Sequence, residues 1–289
     1  MLLRRDFLLA AAPAVAAEPL RLVDLPGERL ELLAGRTLLL AYRYSAARPK
    51  TYLHPLCLPD GRPLTLDGPE DHVHHRGLML AWSEVNGFDF WGEVNPAPHG
   101  QIVHRRFERR KAGRTAEIVA QNHWIADGRL LLAERRRLRV PPPDSAGTWL
   151  EWQSEFEAAV EVQLAAGKHV YNGLGVRVAP EMNGGQVLNS RGTTEIEVAN
   201  GEPARWCAYS GAGAGIALFD HPENPRHPNA FFVMNRPFGY LSAAPTYREP
   251  FSLARGERLR FRWGVLAFAG ALRVELLDRR FENWVREKA

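Results

Sequence analysis

The chain has 289 residues, 45% of them hydrophobic, 24% charged and 10% aromatic, with only two cysteines. That is the balance of a folded, core-forming protein, and its 25 Gly and 21 Pro are scattered without a period, which excludes collagen-like, coiled-coil and low-complexity classes. The formal charge of +4 is too mild to signal nucleic acid, and no apolar run reaches the roughly 18 residues of a transmembrane helix.

Residues 1–17 read MLLRRDFLLAAAPAVAA: a basic pair at Arg4 and Arg5, an apolar stretch from Phe7, and a small-residue exit at Ala16-Ala17. This is the pattern of an export signal, and Arg4-Arg5-Asp6-Phe7-Leu8 resembles the twin-arginine type. The expected location is periplasmic or secreted, with residues 18–289 as one β-sandwich domain. Cys57 and Cys207 are expected to be buried, unpaired thiols.

Along the body of the chain, apolar and polar residues alternate. Leu38, Leu40, Tyr42 and Tyr44 share one parity, as do Trp152, Phe156, Ala158, Val160 and Val162 within Glu151–Gln163, and Leu259, Phe261, Trp263, Val265 and Ala267. Period-2 strands with one wet face imply antiparallel sheets. Turn signals fall between them at Asp60-Gly61, Asp127-Gly128, Asn183-Gly184-Gly185, Asn200-Gly201 and Arg255-Gly256. Pro141-Pro142-Pro143-Asp144 is the best linker, but strands of one style lie on both sides of it. A short C-terminal helix is predicted from the spacing of Val274, Leu277, Phe281 and Trp284. The fold class is therefore all-β: a single large antiparallel β-sandwich, by analogy with the galactose mutarotase supersandwich. The basic runs Arg105-Arg106, Arg109-Arg110-Lys111 and Arg135-Arg136-Arg137 read as solvated strand faces paired with Glu108, Glu117 and Glu134. Nucleic acid is not an expected partner, because only Phe107 interleaves with the bases.

Chemistry concentrates between His54 and Glu93, which holds His54, Asp71, His72, His74, His75, Arg76, Trp82, Asn86, Asp89 and Trp91. If Asp71–Arg76 is extended, His72 and His74 point one way and His75 the other. Such imidazoles can hold a divalent metal with a third ligand from elsewhere, or can act as general acids and bases with Asp71 orienting one ring. No His-Glu-x-x-His or Cys-x-x-Cys spacing is present, so no cofactor is specified. A second cluster, Phe219–Phe232, places Asp220, His221, Asn224, Arg226 and His227 among Pro222, Pro225 and Pro228, which rigidify the loop. Arg177 on a Gly-flanked strand and Asn189 at a hairpin end are further candidates.

Several stretches resemble a bacterial family that carries the name methane oxygenase PmoA and is otherwise a domain of unknown function. They are Asp71-His72-Val73-His74-His75-Arg76-Gly77-Leu78, Val85–Trp91, Gly173–Val178, Asn189-Ser190-Arg191-Gly192 and Phe219–Arg226, in order along nearly the whole chain. Val73 stands where that family usually has Pro, and Phe231-Phe232 where a Trp-His pair is common. The resemblance implies a member of that family. The family's name implies methane oxidation, but the copper monooxygenase subunit of that name is an integral membrane protein, and this chain has no spanning segment.

The residue chemistry points to an enzyme acting on a small-molecule or carbohydrate substrate. His72, His74, His75, Asp220 and His221 are the candidate catalytic groups. His54, Arg76, Trp82, Asn86, Asp89, Trp91, Arg177, Asn189 and Arg226 are candidates for holding substrate, with Trp82 and Trp91 stacking on sugar faces. Epimerisation, elimination and hydrolysis all remain open, although no carboxylate pair suggests two-carboxylate glycoside hydrolysis. The alternatives are a non-catalytic carbohydrate-binding protein and a metal-dependent oxygenase or lyase built on His72 and His74.

Overall fold

The structure, a computed structural model, describes residues 18–94, 96–165 and 169–287. The export-signal pattern lies outside the described residues. The first strands are β1 (Leu20–Leu25), β2 (Arg29–Ala34), β3 (Thr37–Arg43), β4 (Tyr52–Leu56) and β5 (Leu78–Ala81). Four long strands follow: β6 (Gln101–Lys111), β7 (Ala116–Ala126), β8 (Arg129–Val140) and β9 (Thr148–Ala158). Then come β10 (Val162–Leu164), β11 (Gly173–Arg177), β12 (Gln186–Asn189) and a one-turn helix, α1 (Ile196–Ala199). The last strands are β13 (Trp206–Gly211), β14 (Ala214–Asp220), β15 (Phe231–Met234), β16 (Tyr240–Ala243), β17 (Phe251–Leu253) and β18 (Arg258–Ala269), before helix α2 (Val274–Arg286).

Two eight-stranded antiparallel sheets carry the fold, as the alternation predicts. One runs β1-β2-β3-β4-β5-β11-β16-β15, and the other β12-β13-β14-β18-β9-β8-β7-β6. A small β10-β17 pair stands apart from both. One apolar cluster joins the facing sides of the two sheets, with Trp82, Trp124, Trp152 and Trp263 all fully buried. Asp127-Gly128 makes the tight β7–β8 turn, with φ of 49° and 69°, the paired left-handed conformation that such hairpins require. The Pro141–Asp144 stretch joins β8 and β9, which are neighbours in one sheet. Cys57 and Cys207 are buried and unpaired.

Two charged groups do not lie where the basic runs suggested. Strand parity that sends Leu138 inward also sends Glu134 and Arg136 inward, so the side chains of this pair have 0% exposure instead of facing water. It is sustainable there because it is fully bonded. Arg136 Nε and Nη2 donate to the two Glu134 oxygens at 2.8 Å, Ser154 and Trp124 donate to the same carboxylate, and the guanidinium lies 4.5 Å from the Trp152 ring. Arg262 also belongs to a nominally wet strand face, but helix α2 covers it. Leu277, Phe281 and Trp284 of α2 pack on Trp149, Phe219, Leu266 and Phe268, and Trp284 Nε1 donates to Glu151. Arg262 Nη2 pairs with Glu151 at 3.2 Å beneath that cover.

The part of the fold that builds a site is the β11-β16-β15 corner of the first sheet. Gly239 lies close against Val178 and the Tyr209 ring of the second sheet, and Leu174, Val176 and Leu241, at 0% exposure, turn into the core. Gly175, Arg177, Tyr240, Ser242, Phe232 and Met234 have the opposite parity and line the other face of the sheet. Gly175 is required there, because a Cβ would come within 2.0 Å of the Tyr240 hydroxyl lying over it.

Candidate functional site

Above that corner lies a cleft of about 450 Å³ lined by His72, His74, His75, Trp91, Tyr171, Phe232, Met234, Pro237, Phe238 and Tyr240. The histidine segment is a turn, not the extended run expected from the sequence. His72 N–H donates to the Pro69 carbonyl and His75 N–H to the His72 carbonyl, and this winding brings all three rings to one side. Ring centres are 4.7 Å apart for His72–His75, 4.7 Å for His74–His75 and 5.4 Å for His72–His74.

Arg177 organises the polar end. Its Nη2 donates to Asp71 Oδ2 at 2.9 Å, its Nη1 donates to His75 Nδ1 at 2.9 Å, and its guanidinium stacks 3.7 Å from the Phe238 ring centre. Burial would raise the Asp71 carboxyl, but hydrogen bonds from Arg177 and His72 hold it below the usual carboxylate range. Because Asp71 is ionised, the His72 Nδ1 facing its Oδ2 at 3.0 Å carries the proton, leaving Nε2 as the basic nitrogen. The His72 side chain is 37% exposed, so that nitrogen is open to a ligand. The other two rings are neutral. Burial, with Lys50 and His72 nearby, lowers His74 to about 4, and burial, with His74, His72 and Arg177, lowers His75 to about 2. A guanidinium only donates, so His75 accepts at Nδ1 and carries its proton on Nε2.

A buried ionic floor holds this turn in place, and sequence reading missed most of it. Lys50 Nζ donates to the carbonyls of His74 and Trp91 and pairs with Glu93 at 3.3 Å. Burial lowers the Lys50 ammonium to about 8 against the opposing pull of Glu93. Arg76 binds Glu93 and Asp67, and Tyr52 donates to Asp67 at 2.9 Å. Lys50 sits in a plain loop context and Glu93 behind a turn, so neither carried a motif.

The remaining candidates divide. Trp91 is in the cleft wall, presented by Asp89, whose Oδ1 accepts from the backbone N–H of Trp91 and Gly92. Arg76 is part of the floor and does not line the cleft. Trp82 has 0% exposure, packs on Trp124 and Phe156, and donates to Thr246, so it is core and no sugar can stack on it. His54 is in β4, its Nδ1 against Thr65 Oγ1 at 3.0 Å. Asn86 closes a turn at φ 53°, bonded to the backbone of Glu161 and Gln163. Asn189 caps its own turn through the N–H of Arg191 and Thr193 and donates to Glu202.

The second cluster does not join the first. Asp220 is fully buried and accepts from Asn224, from His227 Nδ1 at 2.8 Å and from the backbone N–H of Asn229. His221 packs on Trp284 of α2 with ring centres 4.7 Å apart, so both residues anchor the loop under the C-terminal helix. Arg226 donates to the carbonyls of Glu249 and Pro250 and stacks on Phe251, on a separate small hollow. None of the three lines the histidine cleft. Among the described residues, no group of three or more His, Cys, Asp or Glu is arranged to hold a metal, and no helix is long and apolar enough to cross a membrane.

Comparison with curated protein sequences finds no match. Among solved structures, the chain is similar to heparan sulfate lyase HepC from Pedobacter heparinus, with 9% identity and a TM-score of 0.44 over 85% of this chain and 34% of that one. It is also similar to a putative aldose 1-epimerase from Escherichia coli K12, with 10% identity and a TM-score of 0.37 over 86% of this chain and 99% of that one. A putative kojibiose phosphorylase from the human microbiome matches at 8% identity and a TM-score of 0.36, over 86% and 32% of the two chains. The chain thus spans about a third of the length of the lyase and the phosphorylase. The resemblance to the methane oxygenase PmoA family is not upheld: the family model that matches, over residues 29–282, is a different one whose function is unknown. The chain belongs to the family of unknown function DUF6807.

Proposed function

We propose that this protein is an exported enzyme that acts on a carbohydrate or sugar derivative by histidine acid–base chemistry. The observation that carries the reading is the Arg177–Asp71–His72 chain: a clamped carboxylate fixes the tautomer of a half-exposed imidazole on the rim of an aromatic cleft. A base oriented by a second group that is itself held by a third is the arrangement general base catalysis needs. His72 Nε2 would take a proton from a sugar carbon or hydroxyl, and the neutral His74 and His75 would offer N–H groups to the oxygen that gains charge. The aromatic wall supports the substrate assignment, because the C–H faces of a pyranose pack on such rings while its oxygens reach the histidine end.

The test offers sugars, sugar acids and simple glycosides to the purified protein in deuterated water and follows exchange and turnover by proton NMR. His72→Ala should lower turnover by about 10²–10⁴-fold. Asp71→Asn should lower it less while leaving substrate binding in place. Unchanged turnover in a folded His72→Ala protein refutes the reading. Binding without turnover in the wild type would make the protein a carbohydrate-binding module instead.

A further inference from the structure

The cleft is furnished unequally along its length. Its polar equipment is at the histidine end, while no Asp, Glu, Asn, Gln, Ser or Thr lines it among the described residues. The two phenols do not make up the difference. The Tyr171 hydroxyl is engaged with His169 Nδ1 at 2.9 Å, and the Tyr240 hydroxyl is buried over Gly175. A second hydroxylated ring at the far end would bury oxygens without partners, each costing affinity by about tenfold.

The far end suits an aromatic ring. Phe232 and Met234 come from β15, the edge strand of its sheet, and both remain half-exposed. Phe232 meets Tyr171 edge-on at 5.7 Å, and Tyr171 meets Trp91 at 4.6 Å, so the wall continues as a chain of rings back to the histidines. Edge-to-face geometry leaves room for a further ring in the same pattern, and a thioether adapts to its rim. The cleft's 450 Å³ is about three times the ~150 Å³ apolar cavity that accepts benzene, enough for one aromatic ring beside one sugar.

We infer that the Phe232–Met234 end is a subsite for an aromatic aglycone, and that the substrate is a sugar joined to an aromatic group. The inference rests on the sugar-processing reading above and narrows its substrate class. The sugar sits at the histidines and the aromatic ring lies between Tyr171, Phe232 and Met234.

The experiment titrates the full chain with phenyl and methyl glycosides of glucose, galactose and glucuronic acid, in both anomers, and reads binding by calorimetry. The phenyl compound of at least one pair should bind about tenfold tighter than its methyl partner, since the larger apolar surface is buried. Phe232→Ala and Met234→Ala should each reduce that ratio toward one. Phe232→Leu, which keeps apolar volume, should retain part of it, and melting curves confirm that each variant is folded. Equal binding of phenyl and methyl glycosides, binding of neither, or a ratio unmoved in folded Phe232→Ala and Met234→Ala overturns the proposal. The two readings fail separately: His72→Ala should lower turnover by about 10²–10⁴-fold and keep the phenyl preference. Unchanged turnover there refutes the catalytic reading, whereas a lost ratio in the wild type refutes the aryl subsite.

Discussion

Gly175→Ala isolates the packing that shapes the cleft. Gly175 lies mid-strand in β11, paired with Met79 on one side and Ser242 on the other, so an alanine meets no backbone strain there. The cost is steric. The new Cβ would lie 2.0 Å from Tyr240 Oη, 2.8 Å from Cζ and 3.1 Å from Cε1. Tyr240 cannot simply swing away, because its ring is buried among His75 at 5.0 Å, Trp91 at 5.8 Å and Phe232 at 6.2 Å. Overpacking of this kind costs about 1–3 kcal/mol, and at about 2–4 °C per kcal/mol the midpoint should fall by several degrees. Tyr240→Phe removes the nearest clashing atom, a buried hydroxyl without a hydrogen-bond partner, and alone should leave stability unchanged or raise it by about 1 kcal/mol, since such a group carries a desolvation cost. The double variant should recover about 1 kcal/mol of the Gly175→Ala loss, since the nearest remaining ring atom is Cζ at 2.8 Å. Urea melts of the four proteins measure the cycle. A Gly175→Ala protein as stable as wild type, or a double variant no better than the single, refutes the steric account.

Asp220→Ala should lose about 3–5 kcal/mol in urea melts, because it removes a fully buried carboxylate and strands its donors. Ligand binding in the histidine cleft should not change in the folded protein; a selective loss of binding at full stability would restore Asp220 to the site. Lys50→Met should cost about 2–4 kcal/mol by leaving the His74 and Trp91 carbonyls without their ammonium, and a stability unchanged within 0.5 kcal/mol would refute the role of the ionic floor. Acidification should also destabilise the fold. His74, His75 and His221 are lowered by burial to about 4, 2 and 4, so below the unfolded histidine value of about 6.5 the unfolded chain binds more protons. Their contribution is whole above about pH 6.5 and falls with a slope of up to about 1.4 kcal/mol per pH unit per ring. Melts between pH 6.5 and 5 precede most carboxylate titration and should show the fall; a flat midpoint there contradicts it.

The fold was largely readable because strand parity is a local property. The alternation in β9 and β18 and the spacing in α2 each record which side of an element meets a core. The reading failed where charge was taken to mean exposure, and where a second layer covered a strand face. Arg136 reads as one member of a basic run, yet its parity matches Leu138, and the Glu134 carboxylate two residues away makes that burial sustainable. Arg262 reads as wet because the sequence does not say that α2 folds back over its strand.

The site was readable in part. The density of histidine between His54 and Arg76 marked the right segment, but the turn that gathers His72, His74 and His75 depends on Lys50 and Glu93 beneath it. Trp82 and Trp91 look alike in the chain. Trp82 has no exposed surface and packs on Trp124 and Phe156, whereas Trp91 packs on Tyr171 and lines the cleft.

The sequence by itself determined the antiparallel strands, the C-terminal helix and the chemical types present, since each follows from neighbours a few residues apart. Only the tertiary structure decided which of those groups share a site. It joined Arg177 to Asp71 and His75 across a hundred residues, and it sent Asp220 and His221 beneath the C-terminal helix instead. Such partnerships are set by sheet order and register, which bring β11 between β5 and β16, and no local pattern in the chain encodes that order.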